Sequence, residues 1–135
     1  MLWRGKYKSL VIAALFCFSC EKEKRYEDYN EDDFYEAQGV VTKVYQTSSV
    51  FDSSFNKLID YTYAINDSIF LEGKEVEFYK AWRFGQPIIV LVHKKDSSIS
   101  FYARDGILNN ITEKQMKMFN TILVIDGKKS KNLDN

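Results

Sequence analysis

Histidine occurs once in this 135-residue chain, at His93, and cysteine only twice, at Cys17 and Cys20. A single imidazole leaves no histidine set for a catalytic metal. No His/Cys/Asp/Glu cluster stands at metal-ligand spacing either. A nucleophile–base pair would have to use His93. That residue ends an apolar run ahead of Lys94-Lys95 and reads as a half-exposed strand-end side chain. Neither a Gly-rich phosphate loop nor a G-x-S-x-G elbow is present. The body of the chain beyond residue 20 has no cysteine, so it holds no disulfide framework. Acidic side chains are missing from the first twenty residues. The apolar run there is nine residues, too short for a helical span of roughly 20.

What is there at the start has a definite order. Arg4, Lys6 and Lys8 precede the apolar run Leu10 to Phe18 (LVIAALFCF), and Ser19-Cys20 leads into the charged run Glu21 to Arg25. A basic region, a short apolar core and a small residue at the cut make a secretory signal. Phe18-Ser19-Cys20 resembles a lipobox, where bacterial lipoprotein signal peptidase cuts before a lipid-modified cysteine. Ser19 fits the family's preference for a small residue before the cut. Cys17 departs from it, standing where leucine is favoured. Residues 1–19 are therefore expected to be a signal peptide and Cys20 the lipidated residue. The alternative is a plainly secreted protein. Removal of residues 1–19 leaves 116 residues with 16 basic and 19 acidic side chains. It also leaves Cys20 as the sole cysteine, occupied by lipid. Two or three acyl chains, at about 0.8 kcal/mol per buried CH₂, make such attachment effectively permanent.

Glu21 to Glu36 carries eight acidic and three basic residues and almost no aliphatic ones. Such a segment buries too little to offset its ordering entropy. The expectation for residues 20–36 is a lipidated flexible tether, with Tyr26, Tyr29, Phe34 and Tyr35 free to dock on the domain or the lipid. Charged residues directly after Cys20 are similar to those that direct some Gram-negative lipoproteins to the cell surface. That implies the outer membrane of a bacterial envelope rather than the inner one. Residues 129–135 read as a polar, frayed tail.

Residues 37–128 form one domain, with no internal repeat. Thirteen aromatic residues within it can supply a core without staples. Its dominant period is two, which is strand periodicity. Ala37 to Thr47 alternates as a strand, with Gly39 marking a bulge. Leu58 to Ile65 is a second strand, turning at Asn66-Asp67 into Ser68 to Leu71. Ile88 to Val92 (IIVLV) is apolar on both faces and should be central. Asp96-Ser97-Ser98 turns into Ile99 to Ala103, and Asp105-Gly106 turns again. Glu75 to Phe84 reads as a strand whose face Lys80 breaks, or as a short helix. Thr112 and Gln115 match a capping box for a short helix carrying Met116 and Phe119. Ile122 to Ile125 reads as a last short strand. The fold class expected is mainly β: a small antiparallel barrel or sandwich with one short C-terminal helix. Tyr61-Thr62-Tyr63-Ala64-Ile65, with Asp67, Phe70, Gly85, Ile88, Val90, Val92 and Ser100, resembles a small bacterial β domain of uncharacterised function. The resemblance departs from that pattern at Asp67, Phe70, Lys94 and Ser97. It implies a β fold in a membrane-associated protein and supplies no catalytic residues.

These residues point to binding before catalysis. Glu72, Glu75 and Glu77 are close in sequence and read as solvated charge. Tyr79, Trp82 and Tyr102 are the candidate contacts for a protein or glycan partner; the competing reading places them in the core, Trp82 more than the tyrosines. The acidic balance after cleavage disfavours nucleic acid, and no cofactor or metal is called for. Asp67-Ser68-Ile69 resembles an envelope O-glycosylation site, which makes Ser68 a candidate acceptor. The leading expectation is a lipid-anchored envelope module that binds or assists another molecule, with an immunity-type inhibitor as one variant. The alternatives are a structural envelope lipoprotein without a discrete ligand and a carboxylate-dependent glycan-processing enzyme built on Asp60 or the Glu72–Glu77 group.

Overall fold

The computed structural model describes residues 25–46, 57–77 and 80–133. Cys20 and Tyr79 lie outside them. The described residues hold five strands: β1 (Phe34–Gln46), β2 (Lys57–Ala64), β3 (Phe70–Glu77), β4 (Pro87–His93) and β5 (Ser100–Asp105). A helix, α1 (Glu113–Leu133), follows them. The strands make one wholly antiparallel sheet in the order β3-β2-β1-β4-β5. The mainly β fold with a C-terminal helix is thus as expected. Within that order β3-β2-β1-β4 is a Greek key. The sheet is not closed into a barrel: among the described residues β3 and β5 touch through side chains and share no ladder.

The apolar β4 lies inside the sheet, paired with β1 on one side and β5 on the other, as expected of IIVLV, and the 13-residue β1 is the middle strand. Its first half pairs with β4 and its second half with β2. A bulge between Val41 and Lys43 bends it between those two tasks. The bulge is therefore not at Gly39, which pairs regularly with Tyr63 and Ile88. What Gly39 supplies is clearance, since a Cβ there would stand 2.8 Å from a Val90 methyl and 3.2 Å from Ile88.

Alternation decides the two faces. The inner face of the curled sheet is apolar. Val41, Ile59, Tyr61, Tyr63, Ile88, Val90 and Val92 are fully buried there, each contributing about 1.5–3 kcal/mol of gross burial. Trp82 reaches into this core from the segment after β3. Gly73 makes room for Tyr61: an added Cβ would lie 2.6 Å from its ring. Tyr61 Oη hydrogen-bonds Ser100 Oγ at 3.1 Å, and the Tyr63 hydroxyl donates to the Ser97 carbonyl at 2.6 Å. These bonds tie β2 across the interior to β5 and the turn before it.

The outer face carries two covers. Phe119 of α1 packs on Val40, Ala64 and Phe70, flanked by Leu123 and Ile111. Beyond it lies the buried Gln38, whose amide nitrogen donates to the carbonyls of Ile88 and Gly106 and whose oxygen accepts from Leu108 N–H. Residues before β1 make the second cover. Two single 3-10 turns, Tyr26–Asp28 and Glu31–Asp33, set Tyr26 and Tyr29 against Phe34, His93 and Phe101, with ring centroids 5.3–6.0 Å apart. The stretch expected to be a flexible tether up to residue 36 is thus folded from Tyr26 onward, and the strand starts at Phe34 rather than Ala37.

The C-terminal part also differs from expectation. The Thr112–Gln115 capping box forms, with Thr112 Oγ1 accepting from Gln115 N–H at 3.1 Å and Gln115 Oε1 accepting from Thr112 N–H at 3.3 Å. The helix it opens is not short. It runs through Ile122 to Ile125, where a strand was expected, and continues to Leu133 within the expected tail. Continuing the helix keeps Leu123 in the contact that Phe119 begins.

Candidate functional site

The polar and aromatic side chains that converge most closely sit where the sheet edges meet. Lys80 Nζ lies 4.3 Å from the ring centroids of both Trp82 and Tyr102. Those rings stand edge to face, 4.9 Å apart. Lys80 also pairs with Asp105 at 2.8 Å and donates to the Tyr102 hydroxyl, which in turn donates to Asp105 Oδ1 at 3.1 Å. Gln86 Nε2 donates to the same carboxylate oxygen at 2.9 Å. On the β3 side, Glu75 Oε2 accepts from Tyr102 N–H at 3.1 Å.

A register shift in β5 builds this cluster. Ile89 faces Arg104 while Val90 faces Tyr102, which leaves Ala103 as an extra residue. Strict alternation would put Tyr102 and Asp105 on opposite faces. The extra residue reverses the parity, turning Asp105 toward Tyr102 and Arg104 outward to a bidentate pair with Glu36.

The electrostatics follow from this packing. Burial pushes the Asp105 carboxyl up, but Lys80, Tyr102 and Gln86 outweigh it and hold it below the usual carboxylate range. Burial pushes Lys80 down, and its bonds to Asp105 and Tyr102 more than reverse that, so its affinity for the proton is raised. Burial, opposed by Lys80, lifts the Tyr102 phenol. At neutral pH the cluster is a closed ion pair with a neutral phenol between its members. The Trp82 indole Nε1 beside it is buried and has no hydrogen-bond partner among the described residues.

Two hollows flank these elements. One of about 460 Å³ is lined by residues 81 and 83–87, among them Arg83 and the half-exposed Phe84. The other, about 260 Å³, lies between α1 and the outer sheet face and is lined by Thr62, Phe70, Glu72, Ile122, Ile125 and Asp126. Met118 and Ile125 extend an exposed apolar flank along α1 beside it.

The residues singled out by sequence fall as follows. Trp82 and Tyr102 do come together, but turned inward: Trp82 is 4% exposed and the Tyr102 hydroxyl is engaged. Ser68 is exposed on the β2–β3 turn, where Asn66 Oδ1 accepts from Ser68 and Ile69 N–H at 2.8 Å. Its Oγ accepts a long bond of 3.4 Å from Lys114. Glu72 and Glu75 are parted by alternation, the first in the outer groove and the second at the edge cluster. Asp60 takes the Tyr45 hydroxyl at 2.7 Å and lies 3.9 Å from Lys74. His93 holds the β4–β5 turn, its Nδ1 accepting from Lys95 and Asp96 N–H at 3.2 Å. Lys80, Gln86 and Asp105 were missed as partners. The one available signal was Lys80 itself, a cation interrupting an aromatic face. Among the described residues there is no group of three metal-ligating side chains, and no helix is long and apolar enough to cross a membrane.

Neither a family model nor a curated protein matches the chain. No solved structure matches it either.

Proposed function

We propose that this chain is a lipid-anchored protein of the bacterial cell envelope, held at the outer membrane by Cys20, whose domain binds or assists another molecule and does not itself catalyse a reaction. The observation that carries this reading is the order of its N-terminus. A basic start, a nine-residue apolar run and Ser19-Cys20 are followed within a few residues by a domain already folded at Tyr26. The non-catalytic part is supported by the edge cluster, whose ionic groups are bonded to one another. Exposed apolar side chains along α1 and at Phe84 offer contact area for a protein or glycan partner.

The test is Cys20→Ala. The variant is expected to leave the membrane fraction, or to persist as an uncleaved precursor, and to lack the acyl mass at its N-terminus. Unchanged fractionation and migration would overturn the anchor. Recovery of a single stoichiometric partner from solubilised membranes supports the binding module against a purely structural role. The enzymatic alternative rests on Glu72 and Asp126, which line one groove. Glycan hydrolysis lost on Glu72→Gln or Asp126→Asn would establish it.

A further inference from the structure

We infer that the domain is held on a short leash with one particular pole toward the bilayer: the end bearing the β4–β5 turn, where Lys94 and Lys95 stand. This rests on the lipid anchor proposed above and deepens it. The acidic stretch after Cys20 looks like a long spacer by composition, yet most of it is part of the fold. Tyr26 and Tyr29 are packed into the Phe34, His93 and Phe101 rings. The turn that follows is bolted to the sheet twice: Asp33 carbonyl accepts from Lys94 N–H at 2.8 Å, and Asp32 carbonyl accepts from Lys94 Nζ at 2.6 Å. Arg25 N–H is itself bonded to Asp28 Oδ2 at 2.9 Å. The chain between the lipidated residue and this fixed point is therefore five residue steps, about 18 Å at full stretch.

The opposite pole is out of that reach when the domain stands upright. α1 starts beside the β2–β3 turn, where Thr112 Oγ1 donates to Asp67 at 2.7 Å. It runs to the other pole, where Gly127 in its second half lies against Phe84. Lys114 to Lys128 alone covers about 21 Å of helix. The surface offered to the bilayer is thus the segment 25–33 and the Lys94–Asp96 turn, where Glu27, Asp28, Glu31, Asp32, Asp33 and Asp96 outnumber Arg25, Lys94 and Lys95. What holds this pole at the bilayer is therefore the shortness of the leash and not attraction of charge. The Phe84 and helix-end pole faces away, toward any soluble partner.

The test uses the acylated full-length product in vesicles of phosphatidylethanolamine and phosphatidylglycerol containing a headgroup-spin-labelled lipid. Lipidation occupies Cys20, so Lys95→Cys and Lys128→Cys each present one free thiol for a fluorophore. The label at position 95 is expected to be quenched several-fold more than that at 128. A long Gly/Ser insertion between Glu23 and Lys24 should remove most of the difference. Equal quenching at the two positions, or stronger quenching at 128, on protein that is acylated and vesicle-bound, overturns the orientation and leaves the anchor standing. Protein that carries no acyl chain overturns both.

Discussion

Single residues carry two constraints that can be measured directly. Gly73 is held as glycine by the Tyr61 ring, which cannot retreat because it is fully buried. Gly73→Ala is expected to cost about 1–3 kcal/mol, read as a lower urea midpoint at unchanged slope. The second constraint is Asp105. Its carboxyl is held below the ordinary value in the folded chain, so its contribution is present above the unfolded carboxylate pKa. It is lost as pH falls through the folded value. The side chain is half exposed, so the effect is limited to about 1 kcal/mol or less. Asp105→Asn should flatten that part of the acid limb in a melting-temperature-against-pH series. Lys80 has the opposite sign. Its raised affinity for the proton stabilises the fold below the ordinary lysine pKa, and that is lost as pH climbs through the folded value.

At the scale of elements, α1 is the sharpest departure from local preference. Ile122-Leu123-Val124-Ile125 is rich in β-branched residues and reads as a strand in isolation. It is helical because the capped start at Thr112 and the packing of Phe119 and Leu123 extend through it. Val124 is 57% exposed, which makes it a discriminating site. Val124→Ala should raise stability by about 0.5 kcal/mol by helix propensity, whereas in a strand the same change would lower it. Thermal melts followed by helical circular dichroism decide between them. Phe119→Ala removes the main contact of α1 with the sheet. It should cost about 3 kcal/mol, with faster amide exchange throughout the helix.

At the scale of the molecule, a curled sheet is sealed by side chains where a ladder would otherwise close it. The edge contact rests on Glu75, Lys80, Tyr102 and Asp105. Lys80→Met keeps the aliphatic stem but removes the charge that two rings and a carboxylate share. The expected loss is about 1–2 kcal/mol, with proteolysis of the 80–86 segment rising first. The strands, their turns and the mainly β class were legible from residues such as Tyr61 to Ile65 and IIVLV, because alternation is a local property. The edge cluster was not, because one extra residue at Ala103 reverses which face Asp105 takes, and nothing in the local pattern marks it. The candidate contacts Trp82 and Tyr102 were found as neighbours. Their inward orientation depends on a sheet curl that no single strand encodes.

By itself the sequence determined the period-two strands, the capped start of the helix and the signal-like order of the first twenty residues. Each rests on neighbours a few positions apart. Tertiary structure alone decided that the sheet stays open with its edges locked by Lys80 and Asp105. It also decided that Ile122 to Ile125 continues a helix and that Tyr26 and Tyr29 belong to the fold and not to a tether. Those outcomes turn on contacts between residues far apart in the chain, whose gain in burial and hydrogen bonding overrides the preference of each segment taken alone.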